Sequence, residues 1–184
     1  MLISTLIIYS NNHFTRKLPI LYTIHMSVAW LHFSIVIFVQ FLVFIICAYH
    51  LKKVSQVPHI LIKGIMIGII FGLPFDLILG EFLNFHSYIL GFSISFLVLN
   101  TAISYGLFAA NILLLEQMKF SYFCIWTICI MVVYEITNLF FPVWNWEIIL
   151  PPIQFLLMLS AGYLGGAILV IRIFNTTKYL KRLF

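Results

Sequence analysis

The sequence predicts an all-α polytopic bundle of about five transmembrane helices, with the N-terminus outside and the C-terminus inside. Three observations point there. Of the 184 residues 64% are apolar and only 8% charged. The apolar residues gather into five runs long enough to cross a bilayer. Lys and Arg fall mainly on one side of those runs. A soluble domain carries roughly 45–50% apolar and about 25% charged residues. One domain of this length holds a single modest core, so lipid hydrocarbon has to cover the rest of the apolar surface.

Crossing the hydrocarbon takes about 20 apolar residues per helix. The runs Val28–Leu51, Ile60–Leu83, Ile89–Leu115, Phe120–Phe141 and Ile148–Ile173 meet that length. They divide the chain into an N-terminal extracytoplasmic segment (residues 1–25, partly disordered), a five-helix membrane domain (residues 26–174) and a short basic cytoplasmic tail (residues 175–184). Met1–Tyr9 is too short to span and has neither the basic start nor the small-residue cleavage site of a signal peptide. Met26, at the head of the first strongly apolar run, is an alternative start.

Orientation follows from basic residues, which favour cytoplasmic loops. With the N-terminus outside, Lys52, Lys53, Lys63, Lys119, Arg172, Lys178, Lys181 and Arg182 lie inside, and only Arg16 and Lys17 lie outside. This asymmetry and the small size suit a bacterial cytoplasmic membrane. The net charge of +5 is spread over helix ends. It forms no basic groove, which argues against nucleic acid as a partner. Cys47, Cys124 and Cys129 sit in apolar runs, odd in number and without CxxC spacing, so neither a disulfide framework nor a cysteine metal site is expected.

Polar groups are costly in lipid, and their helical positions therefore carry information. In the second run Gly64, Gly68, Gly72, Asp76 and Gly80 recur every fourth residue. Small residues at that spacing let another helix approach closely, and Asp76 on the same side should face protein. Pro74 loosens the turn before it. In the third run Ser93, Asn100, Ser104 and Asn111 share a face. In the fourth Cys124, Met131, Glu135 and Asn138 align, and in the fifth Glu147, Gln154, Ala161 and Gly165 do. The first run, broken mainly by Gln40, is expected at the periphery.

Asp76, Glu81, Glu135 and Glu147 all fall in the outer half, with His86 and Tyr88 in the short loop after the second run. A carboxyl in a low-dielectric site resists ionisation. Two close together hold one proton between them, so that one serves as acid and the other as base. Asp76 and Glu135 are the candidate catalytic pair. Glu81, Asn84, His86, Tyr88, Asn100, Asn138 and Glu147 are candidate substrate-binding residues. Such a pocket could protonate an alkene or epoxide of a lipid-soluble substrate, with aromatic faces stabilising a cation.

The in-helix Asp76 followed by a short aromatic outer loop, together with the in-helix Glu135, faintly resembles small membrane cyclases of the lycopene-cyclase type. That likeness implies acids acting within helices. The sequence departs from those proteins in lacking a proline followed by paired glutamates.

No cofactor is expected, since P-loop, nucleophile-elbow and dinucleotide patterns are absent. No metal is expected either, since HExxH is absent and the histidines are dispersed. The partners are the lipid bilayer and either other membrane helices or a lipophilic small molecule. Two further functions compete with a lipid- or isoprenoid-modifying enzyme. One is a non-enzymatic assembly or accessory subunit with glycine stripes as interfaces. The other is a proton or cation conduit, with Asn100 and Asn111 extending the acids inward.

Overall fold

A computed structural model describes the backbone of residues 17–90 and 94–183, and side chains from 26 to 175 apart from Glu81 and residues 91–93. Most of the expected N-terminal segment, the choice between Met1 and Met26, and the side chain of Ser93 lie outside the described residues.

Five helices are long and apolar enough to cross a membrane. Helix α1 covers Lys17–His50. It stops because Lys52 takes a left-handed conformation (φ 55) and the Lys53 N–H turns back to Ala48 O. After a short turn at Val54–Gln56, α2 begins with Pro58 in its first turn, where a missing N–H costs nothing. It runs regularly over Val57–Ile67, widens into a π turn at Gly68–Gly72, is regular over Leu73–Asp76, and widens again over Leu77–Phe82. Helix α3 spans Ile94–Leu115, with a π turn at Thr101–Tyr105. Helix α4 is Phe120–Phe140 and α5 is Pro152–Leu183. Helix therefore extends through residues 17–25 and 175–183, which the sequence alone assigns to a terminal segment and a tail.

The wide turns explain the glycine spacing. In a regular helix, positions four apart drift by about 40° per step, and over Gly64–Gly80 the series would wander half-way round. A π turn, with i→i+5 bonds, is wound more loosely and takes up that drift. Gly64, Gly68, Gly72, Asp76 and Gly80 are accordingly all buried. Added methyl groups would strike backbone at two of these glycines. At Gly64 the obstacle is Gly106 O, and at Gly68 it is Thr101 O together with the Gly106 backbone. The expected helix–helix seam thus joins α2 to α3.

Helix α3 is the centre of the bundle. Of its most apolar stretch 67% is buried, against 33% or less in the other four helices. Helix α1, expected at the periphery, packs along α3 and α4 and buries Val36, Gln40, Phe44, Cys47 and Ala48. Gln40 marks its protein-facing side. Helices α1 and α2 both rest on α3 but make almost no contact with each other along their described residues. The gap is an apolar groove of about 500 Å³ walled by Phe33, Phe38, Phe41, Leu61 and Ile65 and floored by Ile103 and Leu107.

The fold is not purely helical. The loops after α2 and α4 pair as a two-stranded antiparallel sheet, β1 (His86–Tyr88) with β2 (Trp144–Trp146), in the register His86↔Trp146, Ser87↔Asn145, Tyr88↔Trp144. Backbone at the edge of a membrane needs hydrogen-bond partners, and these two loops, at the same end of the bundle, supply them to each other. Three-residue strands are too short to leave a periodic signal. At the fifth helix the expectation fails: Gln154, Ala161 and Gly165 are exposed, and nothing lies within 4 Å of a methyl placed on Gly162 or Gly165. That face points away from the bundle.

Candidate functional site

Side chains alternate along a strand, so His86 and Tyr88 point the same way, down into the bundle, while Ser87 points out. Trp144 and Trp146 alternate likewise on β2. The inner face of the sheet is a roof of aromatic rings, with His86 5.2 Å from Tyr88 and 5.8 Å from Trp146 between ring centroids.

Asp76 lies beneath this roof with no exposed surface. Its Oδ2 accepts from the Tyr88 hydroxyl at 2.7 Å. Its Oδ1 accepts from the Tyr105 hydroxyl at 2.9 Å and stands 2.9 Å from His86 Nε2. Tyr88 in turn accepts from Asn100 Nδ2 at 2.8 Å. Three elements, α2, β1 and α3, meet at one carboxyl. The Asp76–His86 contact holds a proton in one of two arrangements. Either it is on Nε2 facing an ionised carboxylate, or it is on the carboxyl facing the imidazole lone pair. Burial, above all, pushes the Tyr88 phenol well above its ordinary value, with the Tyr105 and Asp76 charges adding to it. Tyr88 therefore stays a hydrogen-bond donor at neutral pH.

Glu135 forms a neighbouring cluster. Its Oε2 accepts from Trp146 Nε1 and its Oε1 from the Tyr163 hydroxyl, each at 3.0 Å. No hydrogen bond joins Asp76 to Glu135. The expected direct pairing of these acids gives way to two separate clusters, bridged by the rings of His86 and Trp146. The residue in proton-sharing contact with Asp76 is His86.

The other candidates have diverse placements. Asn100 and Tyr88 belong to the Asp76 cluster. Asn138 ties the turn after α4: its Oδ1 accepts from the N–H groups of Val143 and Trp144, and its Nδ2 donates to Trp144 O. Glu147 is exposed and bonds outward to Ser87 at 2.6 Å. Asn84 is exposed with φ 51, a conformation Asn tolerates better than most residues, and it redirects the chain from α2 into β1. The side chain of Glu81 is outside the described residues. Spacing along the sequence did not reveal Tyr105, Tyr163 or the role of Trp146. Tyr105 lies five residues beyond Asn100, about 140° away on a regular helix, and only the π turn brings it round. Among the described residues, no three His, Cys, Asp or Glu side chains gather as metal ligands.

The architecture is that of an integral membrane protein, with five helices among the described residues long and apolar enough to span a bilayer and a buried carboxyl cluster under an aromatic roof. The chain matches no protein-family model, and no curated protein or solved structure proves similar to it.

Proposed function

We propose that the chain is a membrane enzyme performing acid–base chemistry on a lipophilic substrate, a lipid or isoprenoid, at the extracytoplasmic end of a bacterial cytoplasmic membrane, with its N-terminus outside and C-terminus inside. The observation that carries this reading is the fully buried Asp76 carboxyl in contact with His86, Tyr88 and Tyr105. An acid in hydrogen-bond contact with an imidazole, in a site sealed from bulk solvent, has the parts of a general acid–base pair.

In this reading Asp76 gives the proton it shares with His86 to an alkene carbon or an epoxide oxygen. The cation formed is stabilised by the tyrosine and tryptophan rings and loses a neighbouring proton to the Asp76–His86 pair, which restores it, so rearrangement needs no other reactant. The groove between α1 and α2 is the place for the hydrocarbon chain. Its Phe33 ring packs on Phe96, which packs on Tyr88, with centroids 5.4 and 5.2 Å apart. Substrate reaches Asp76 only when the aromatic roof shifts.

A second reading has a specific observation in its favour. Both strands of the sheet are tied to acids, β1 to Asp76 and β2 to Glu135, as a non-enzymatic assembly subunit with a structural clasp would have them. The test is to profile membrane lipids of cells expressing the chain, the Asp76→Asn variant or the His86→Gln variant, by mass spectrometry. The enzyme reading expects one or more lipid species to change with the parent and not with either variant, at equal membrane-inserted protein. Identical profiles for parent and empty vector would leave the clasp.

A further inference from the structure

The central helix carries a line of polar atoms that its neighbours leave unsatisfied. Asn100 Oδ1, Ser104 Oγ and Asn111 Oδ1 on α3, and Gln40 Oε1 on α1, are buried and have no protein hydrogen-bond partner among the described residues. All four residues are at most 8% exposed. A buried polar atom left unpaired costs about 1–3 kcal/mol, and more than nine in ten such atoms in folded proteins find a protein or water partner. Four at once, in one region, call for a common explanation.

Their heights agree. Helices α1 and α3 run in the same direction, and their rings touch near the hairpin end at Phe33 and Phe96, 5.4 Å apart. Gln40 is seven residues further along α1 and Ser104 eight further along α3, so each lies about 10–12 Å deeper. Asn100 is one turn nearer the hairpin and Asn111 two turns deeper. The top of the line joins the acid cluster, because the other amide atom of Asn100 donates to Tyr88. At its foot Asn111 Nδ2 donates to the Tyr134 hydroxyl at 3.2 Å. Three residues on, Lys53 Nζ donates to Leu114 O at 2.8 Å. The line therefore runs from the acid cluster to within one turn of a lysine at the opposite end of the bundle.

We infer that a file of ordered waters occupies this line, bonded to Gln40, Asn100, Ser104 and Asn111, and that it carries protons from the lysine end to the Asp76 cluster. A buried water makes about three hydrogen bonds, so a few waters satisfy all four atoms. This deepens the acid–base reading. An acid closed beneath an aromatic roof takes up its first proton by a route that does not pass through the roof.

Two measurements on the full chain in nanodiscs, without substrate, test it. Radiolytic footprinting labels side chains beside internal water. Tyr134, 2% exposed, is expected to be labelled in the parent and to lose label in Ser104→Ala. In thermal unfolding, Ser104→Ala and Gln40→Met should each lower the midpoint by about 2–4 °C, and the double variant by less than the sum, because they share waters. In a dry line, removing an unpaired polar atom is neutral or stabilising. An unlabelled Tyr134, or a Ser104→Ala protein at least as stable as the parent, overturns the inference. Neither readout depends on turnover, so failure here is distinct from failure of the lipid profile.

Discussion

His86 and Trp146 face each other across the two-stranded sheet as partners in register, 5.8 Å apart, and each reaches a different acid. His86 contacts Asp76 and Trp146 contacts Glu135. The sheet is therefore pinned to α2 and to α4 at one rung, and that rung links the two acid clusters.

The pinning can be separated from proton chemistry at Asp76. Asp76→Leu leaves Tyr88, Tyr105 and His86 without their shared acceptor, at about 1–3 kcal/mol for each group left unsatisfied. Asp76→Asn keeps one acceptor oxygen and the shape. Thermal unfolding followed by tryptophan fluorescence should show a much larger fall for Leu than for Asn. Equal losses would mean that the carboxyl contributes nothing to holding the sheet.

Close approach of α2 and α3 makes Gly68 intolerant of a methyl group. Its added Cβ would meet Thr101 O and the Gly106 backbone, which cannot swing aside. Overpacking of this kind costs about 1–3 kcal/mol. Gly162→Ala, with open space around it, should be neutral or stabilise by up to about 1 kcal/mol. Paired unfolding curves of the two variants check the contrast.

Asn138 holds the turn that delivers β2, through three hydrogen bonds to Val143 and Trp144. Asn138→Ala should cost about 1–3 kcal/mol and expose Trp144 and Trp146. A red shift and faster acrylamide quenching of tryptophan emission would register it.

Tyr88 sets an alkaline limit. Its folded-state pKa is raised above the ordinary 10.0 by burial, so the folded chain holds this proton more tightly than the unfolded one. The associated stability is full below about pH 10 and declines as pH rises above it. In Tyr88→Phe, stability at neutral pH should be lower but the alkaline decline shallower, as measured by denaturant unfolding across pH 8–11.

Orientation is open to direct test. With Cys47, Cys124 and Cys129 replaced by alanine, a cysteine introduced at Ser87 should react with an impermeant maleimide added outside intact cells, and one at Ser55 only after permeabilisation. The reverse pattern would place the acid cluster at the cytoplasmic end.

Much of the bundle was legible in the sequence because hydrophobic length and small-residue spacing are local signals. The five spans follow from apolar runs, and the α2–α3 seam follows from Gly64, Gly68 and Gly72. The depth and burial of Asp76 follow from the same stripe. What stayed hidden depends on pairings between distant segments. Tyr105 reaches Asp76 only through a π turn, which composition does not announce. Trp146 reads as an interfacial anchor until its register with His86 is known. Gln40 looked like a blemish on a peripheral helix, because nothing local says that α1 lies against the central one. The fifth helix misled for the opposite reason: its aligned Gln154, Ala161 and Gly165 imitate a packing face that has no intramolecular partner.

The loosened winding of α2 has a consequence for how its length may change. A repeat of exact fours stays on one meridian only while the extra residues of the wide turns are present. Deleting a single residue from Gly68–Gly72 would let that wide turn close to a regular one, which takes up the missing residue and keeps Asp76 on the side of its tyrosines. The stretch should thus accept a change of number more readily than a methyl group at Gly68, which strikes the α3 backbone.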